Sequence, residues 1–205
     1  MNRATVALLL EAVFFALAFG WRSWVQWRRT GSTGFIRPRR GASTAELVGS
    51  IGFVLALVLL VAAPVADLVG MARVTLLDTT WAAAAGFTLG VGGVALTLVA
   101  QLAMGDSWRI GVDLSTRTDL VTDGVFGSVR NPIFTAMVVA TVGLVLLVPN
   151  PVSAAALLVL VAALEVQVRM VEEPYLRTIH GPAYEAYLVS AGRFVPGVGL
   201  ESATR

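Results

Sequence analysis

Two adjacent carboxylates, Glu172 and Glu173, stand where a long apolar run gives way to polar sequence, and Arg130-Asn131-Pro132 stands where an earlier apolar run begins. An acidic pair at a membrane boundary can bind a cationic group through charge-assisted hydrogen bonds. In partly desolvated surroundings such bonds exceed the roughly 0–1 kcal/mol of an exposed ion pair. Arg130 offers the complement, a planar fork for a carboxylate. Taken alone, the two glutamates read more readily as a solvated helix end, since acidic pairs on surface helices are common; the surrounding pattern reverses that. Glu11 and Glu165 lie in or near apolar segments, where ionisable groups are costly unless they face a cavity or a partner. The single histidine, His180, falls in Thr178-Ile179-His180-Gly181 at a helix end, a structural or surface position. There are no cysteines, which excludes disulfides, thiolate metal sites and thiol nucleophiles; no metal site is expected.

The elements that must position these groups are apolar. The chain has 205 residues, 57% hydrophobic and 14% charged, against roughly 25% charged in an average soluble domain. Its apolar stretches run from about Ala4 to Gly20, Ala45 to Val69, Trp81 to Met104, Pro132 to Val148 and Val152 to Val168. Each approaches the roughly 20 residues that cross a bilayer as helix. The expected fold is an all-α membrane protein of about five transmembrane helices. Pro149-Asn150-Pro151 forces spans four and five into an antiparallel hairpin, and a helical tail with a break at Gly181-Pro182 follows. Residues 1–104 form an N-terminal membrane region with an Arg-rich loop; residues 105–205 form the region that carries the chemistry.

Local signals refine this plan. Ser43 and Glu46 have capping-box spacing at the start of span two. Trp21, Trp24 and Trp27 lie on one helical face beside Arg22, Arg28 and Arg29, an interfacial anchor. Gly86, Gly90, Gly92 and Gly93 sit within an apolar run rather than between a strand and a helix, so they form a packing surface and not a dinucleotide fingerprint. All fifteen basic residues are Arg. Six of them (Arg22, Arg28, Arg29, Arg37, Arg39 and Arg40) follow span one, and Arg109, Arg117 and Arg130 follow span three. Only Arg73 follows span two, and the hairpin turn has none. The positive-inside rule then puts the N-terminus outside and the tail in the cytoplasm of a plasma-membrane protein. The net charge of +2 leaves no nucleic-acid footprint; the expected partners are membrane lipids and a lipophilic substrate.

On the cytosolic side the polar residues form an ordered pattern. Leu120-Val121-Thr122-Asp123-Gly124-Val125-Phe126 precedes Arg130-Asn131-Pro132-Ile133-Phe134, and the hairpin exits into Glu172-Glu173, followed by Gly181, Tyr184, Tyr187, Arg193 and Pro196. From about Asp119 to Pro196 this resembles the isoprenylcysteine carboxyl methyltransferase family and its phospholipid methyltransferase relatives. Their pattern is L-V-T-x-G-x-Y, R-H-P-x-Y, a hairpin, E-E, G-x-x-Y-x-x-Y and R-x-x-P. The resemblance implies an S-adenosylmethionine-dependent methyltransferase with a cytosol-facing cofactor pocket. Carried onto this chain, Leu120, Val121, Gly124 and Phe126 line the cofactor together with Arg130, Asn131, Pro132 and Phe134, and Glu172 takes the place of the cofactor-binding glutamate beside Glu173. The chain departs from the pattern where Asn131 replaces His and where Phe126 and Phe134 replace Tyr. The family's substrate-side Arg falls at Val168, and Arg169 lies about 100° further around a helix. Arg169 and Glu165 are the candidates for a catalytic role.

Methyl transfer is an in-line displacement in which an ionised carboxylate or thiolate acceptor needs no general base. Catalysis then comes mainly from holding acceptor and sulfonium in near-attack geometry, which supplies roughly 7–11 kcal/mol. Two other readings stay open: a membrane sterol-type reductase using a nicotinamide dinucleotide phosphate, and a membrane protein without turnover. The acidic pair has the wrong sign for a 2′-phosphate. Against a transporter, no half-helices are broken in corresponding positions. The acceptor and the oligomeric state are not encoded in any motif.

Overall fold

The computed structural model describes residues 2–36, 41–111 and 119–202. Arg37, Arg39, Arg40 and Arg117 of the charge pattern lie outside the described residues. Apart from two short 3-10 turns at Gly105–Ser107 and Gly124–Gly127, those described form six helices: α1 (Arg3–Thr30), α2 (Thr44–Leu68), α3 (Thr80–Ala103), α4 (Pro132–Leu147), α5 (Pro151–His180) and α6 (Pro182–Ser190). They contain no β-strand, only isolated bridges. α1, α2, α3 and α5 are long and apolar enough to cross a membrane. α4 is apolar but has 16 residues, about 24 Å at 1.5 Å per residue, short of a hydrocarbon core of roughly 30 Å.

The helix starts follow local chemistry. Ser43 Oγ accepts the Glu46 N–H at 3.1 Å, the N-cap half of the expected capping box. Thr79 caps α3 through the Ala82 N–H. At the hairpin, Asn150 and Ser153 cap one another reciprocally, and Pro151 occupies the first turn, where its missing N–H costs nothing. Asn150 also donates from Nδ2 to the Ala63 carbonyl at 2.9 Å, which ties the turn to α2 beside its internal Pro64. α1 is longer than its apolar stretch and runs on through the three tryptophans, all exposed, to Gly31 at φ +75°. It includes a π-helical segment, Ala16–Trp21. α5 includes a second one, Val168–Glu172, which ends on the first residue of the acidic pair.

Glycine sets how closely the helices meet. A Cβ on Gly86 would lie 2.6 Å from the Gly143 carbonyl oxygen, and one on Gly143 would lie 2.5 Å from the Gly90 nitrogen. α3 and α4 therefore touch backbone to backbone, the small-residue packing expected of this glycine set. α2 approaches α5 similarly: a Cβ on Gly52 would lie 3.0 Å from Ala163 Cβ. At the end of the bundle holding the hairpin turn, Asp67 takes both Nε and Nη2 of Arg73, at 2.6 and 2.8 Å, and Arg3 meets Asp78 at 2.6 Å. At the opposite end the Arg22 guanidinium stacks over the Trp108 ring, 4.5 Å from its centroid, and bonds Gln26 Oε1 and the Gly105 carbonyl. This clasp holds the end of α1 to the segment leaving α3.

Candidate active site

Where α4 begins, the tail folds back beside it. The Arg130 N–H donates to the Gly192 carbonyl at 2.7 Å, Gly192 N–H to Ser128 O at 3.1 Å, and Asn131 N–H to Arg193 O at 3.1 Å. The Asn131 side chain repeats the last contact through Nδ2 at 3.0 Å, and Thr135 Oγ1 donates to Phe194 O at 2.7 Å. Pro132 can open α4 because this first turn needs no N–H from it. The corner Arg130-Asn131-Pro132 is thus fixed by main-chain and side-chain bonds to the backbone of residues 191–194, some sixty positions later in the chain.

One carboxylate anchors this arrangement. Glu173 is buried and receives Arg130 Nη2 at 3.1 Å, Arg193 Nε at 2.7 Å and Arg193 Nη2 at 3.0 Å. Arg130, also buried, spends its remaining Nη hydrogens on the carbonyls of Leu188, Ala191 and Gly199. Its Nε is buried with no protein partner. Glu173 raises the Arg193 pKa further, chiefly through their hydrogen bond. Buried pairs of this kind add little net stability, but removing one partner costs about 3–5 kcal/mol because a charge is left behind.

Glu172 is only half-buried and is approached differently, by the neutral amide of Gln167 at 3.3 Å. Both arginines that reach the acidic pair go to Glu173, so Glu172 is the member left facing a neutral hydrogen-bond donor. Tyr184 lies within electrostatic reach of Glu173, Arg130 and Glu172, and burial is the main cause that lifts its pKa. Tyr187 donates its hydroxyl to the Phe126 carbonyl at 2.6 Å, and burial pushes its pKa up to about 12. The two rings meet edge to face, with centroids 6.1 Å apart, and Leu120 packs against them.

The sequence-derived residues therefore gather unevenly. Leu120, Phe126, Arg130, Asn131, Pro132 and Glu173 form one connected neighbourhood, with Glu172 beside it. Val121 is half-buried, and Gly124 is exposed at φ +56°, where a side chain would be strained. Phe134 points into the bundle and packs with the cluster around Phe14 and Met137. Glu165 and Arg169 pair with each other across one turn of α5, with half-exposed side chains. His180 closes α5. Arg193 is more central than its single place in R-x-x-P suggested. The backbone carbonyls that hold Arg130 have no signature in sequence, since every residue carries one. Gln167 was equally silent; an amide in the last turn of an apolar segment is its only mark.

The profile of the phospholipid methyltransferase family matches residues 81–183, half of the chain, spanning α3, the corner, the hairpin and the acidic pair. Among solved structures the fold is similar to that of a eukaryotic intramembrane Ras methyltransferase, isoprenylcysteine carboxyl methyltransferase. The TM-score is 0.63 at 19% identity over 94% of this chain. The chain spans 66% of that protein's length. No curated protein matches the sequence. By this profile match the chain belongs to the phospholipid methyltransferase family.

Proposed function

We propose that the chain is an S-adenosylmethionine-dependent methyltransferase of the plasma membrane, acting on a small lipophilic carboxylate, thiol or amine. The observation that carries this reading is the division of labour in the acidic pair. Glu173 is held by two arginines at the corner, which leaves Glu172 beside it as an acid met by a neutral amide. The donor carries an α-ammonium, a sulfonium and one carboxylate, and the residues present fit those charges. Glu172 suits the ammonium, and Arg130 Nε, a buried donor without a protein partner, suits the carboxylate. When bound, the donor supplies an electrophilic methyl group.

The chain's own residues bind, orient and exclude water. The clasp of residues 191–194 on Arg130 and Asn131 fixes the corner, and the Tyr184–Tyr187–Leu188 cluster closes it on the tail side. Leu120, Val121, Gly124 and Phe126 lie on the segment leading into that corner, with Pro132 and Phe134 at the start of α4. Arg169 and Glu165, on the half-exposed side of α5, are placed to meet the polar part of an acceptor arriving from the lipid. All five apolar helices cross the bilayer in this reading, the short α4 with the help of the extended Val148–Asn150 turn. The N-terminus is outside and the tail, with the site, is cytosolic.

Calorimetric titration of the purified protein tests the proposal. Adenosylmethionine and its demethylated product bind, and Glu172→Gln weakens both by about tenfold or more, the cost of one charge-assisted bond. Binding of a reduced nicotinamide dinucleotide phosphate in place of adenosylmethionine overturns it. Unchanged donor affinity in Glu172→Gln removes that residue from the site.

A further inference from the structure

Gln167 and Glu172 meet across the π-helical segment of α5. On a regular α-helix, residues five apart point about 140° away from each other and their side chains diverge. The wider i→i+5 winding of Val168–Glu172 brings the residue at its entrance and its last residue within hydrogen-bond reach. There Gln167 Nε2 donates to Glu172 Oε1 at 3.3 Å. An ionised carboxylate only accepts, so the amide must turn its nitrogen toward Glu172. The amide oxygen lies against α2. A Cβ on Gly49 would stand 2.9 Å from Gln167 Oε1 and 3.5 Å from Gln167 Cα, so a glycine at this place is what leaves room for the amide. Gly49 is itself buried, and one turn further along α2 the same helices stay close at Gly52 and Ala163. Glu172 is thus held by a side chain whose own floor is the backbone of a second helix.

The contact at Glu172 differs in kind from the one at Glu173. Two guanidinium groups compensate Glu173. A neutral amide orients the Glu172 carboxylate but leaves its charge uncompensated, and a cationic group is the partner such a carboxylate lacks. Holding it in place also lessens the side-chain freedom that is lost when a ligand binds. A lysine at position 167 would do the reverse and occupy the carboxylate with a charge of its own. An apolar side chain would leave the carboxylate untethered.

We propose that Gln167, seated on Gly49, is a positioning residue of the candidate active site, holding Glu172 in the orientation that receives the α-ammonium of the methyl donor. The proposal rests on the methyltransferase reading and extends the site to α2. Gln167 acts through Glu172 and has no contact of its own with the donor.

Calorimetric titration of the full chain in mild detergent tests this with two ligands. Adenosylhomocysteine carries the amino-acid group, and methylthioadenosine is the same nucleoside thioether without it. Gln167→Met keeps the length of the side chain and removes the amide. It weakens adenosylhomocysteine about three- to tenfold, the range of one modest hydrogen bond, and leaves methylthioadenosine unchanged. Gln167→Lys weakens adenosylhomocysteine further, because its ammonium competes with that of the ligand. In the Glu172→Gln background, Gln167→Met has no additional effect, as expected of two residues acting as one unit. Equal loss of both ligands in Gln167→Met, the result for a side chain that only packs α5 on α2, overturns the proposal and leaves the methyltransferase reading in place. So does unchanged affinity in Gln167→Met, parent-like affinity in Gln167→Lys, or additive losses in the double variant. A parent chain that binds neither ligand overturns the reading and the proposal together.

Discussion

The guanidinium of Arg130 joins four parts of the chain, bonding Glu173 on α5, Leu188 on α6, Ala191 just beyond it, and Gly199 near the end of the tail. A lysine could reach one or two of these with a point charge, but it lacks the planar fork that serves carboxylate and carbonyls together. Arg130→Lys is therefore not conservative here, and Arg130→Met leaves Glu173 with Arg193 alone. Arg130→Met is expected to lower stability by about 3–5 kcal/mol, read as a shift in the denaturant midpoint in mild detergent. Arg130→Lys should recover less than half of that loss. A shift below about 1 kcal/mol for Arg130→Met would show that the clasp is a surface ion pair of ordinary strength. Much of this was legible from types and spacing alone, because Arg130 and the acidic pair flank apolar runs joined by a forced hairpin. The sequence did not distinguish the two glutamates. That distinction depends on a π-helical segment at Val168–Glu172 and on a tail loop returning from residue 193, and neither leaves a periodic trace.

Among the helices, the same residue type predicts opposite outcomes at neighbouring positions of α3. A Cβ on Gly86 would lie 2.6 Å from a backbone oxygen of α4, whereas one on Gly92 would find nothing within 4 Å. Gly86→Ala must push two backbones apart, at about 1–3 kcal/mol. Gly92→Ala only removes an entropic weakness from a helix interior and should stabilise by about 0.5–1 kcal/mol. Unfolding measured in the same detergent on both variants should give shifts of opposite sign; equal shifts would mean that α3 and α4 are not in backbone contact. The glycines could be identified as a packing surface from their apolar context, but which of the four touches a partner is set by the rotation of α3, which the sequence pattern leaves open. The tail makes a pH-dependent prediction. The Tyr187 hydroxyl donates to the Phe126 carbonyl, and its pKa rises from 10.0 to about 12. A raised pKa on an acid means that the docked state favours the protonated form. The stabilisation is thus complete below pH 10, declines above it and is gone as pH passes 12. The phenolate absorbance that distinguishes the parent from Tyr187→Phe should emerge near pH 12; emergence near 10 would show that the hydroxyl is solvated.

For the whole molecule, the two ends of the bundle differ in charge and construction, and that difference makes the topology testable. One end carries the compact Arg73–Asp67 and Arg3–Asp78 pairs, which balance each other's charge. The other carries Arg22, Arg28 and Arg29 beside three exposed tryptophans, along with Arg130 and the folded tail. An excess of arginine near helix ends sets orientation, because cytosolic retention of basic loops decides insertion. Since the chain has no cysteine, any engineered one reports alone. Leu76, exposed in the α2–α3 loop, and Ser202, exposed near the end of the tail, lie at opposite ends of the bundle. Leu76→Cys should react with a membrane-impermeant maleimide in intact cells, and Ser202→Cys only after permeabilisation. The reverse pattern would put the acidic pair outside, away from the cytosolic pool of adenosylmethionine. Equal reactivity of both sites in intact cells would mean an even number of crossings, with α4 failing to span, as its 16 residues allow. α5 would then carry the tail to the side of the bilayer opposite the start of α4, and the clasp of residues 191–194 on Arg130 could not form.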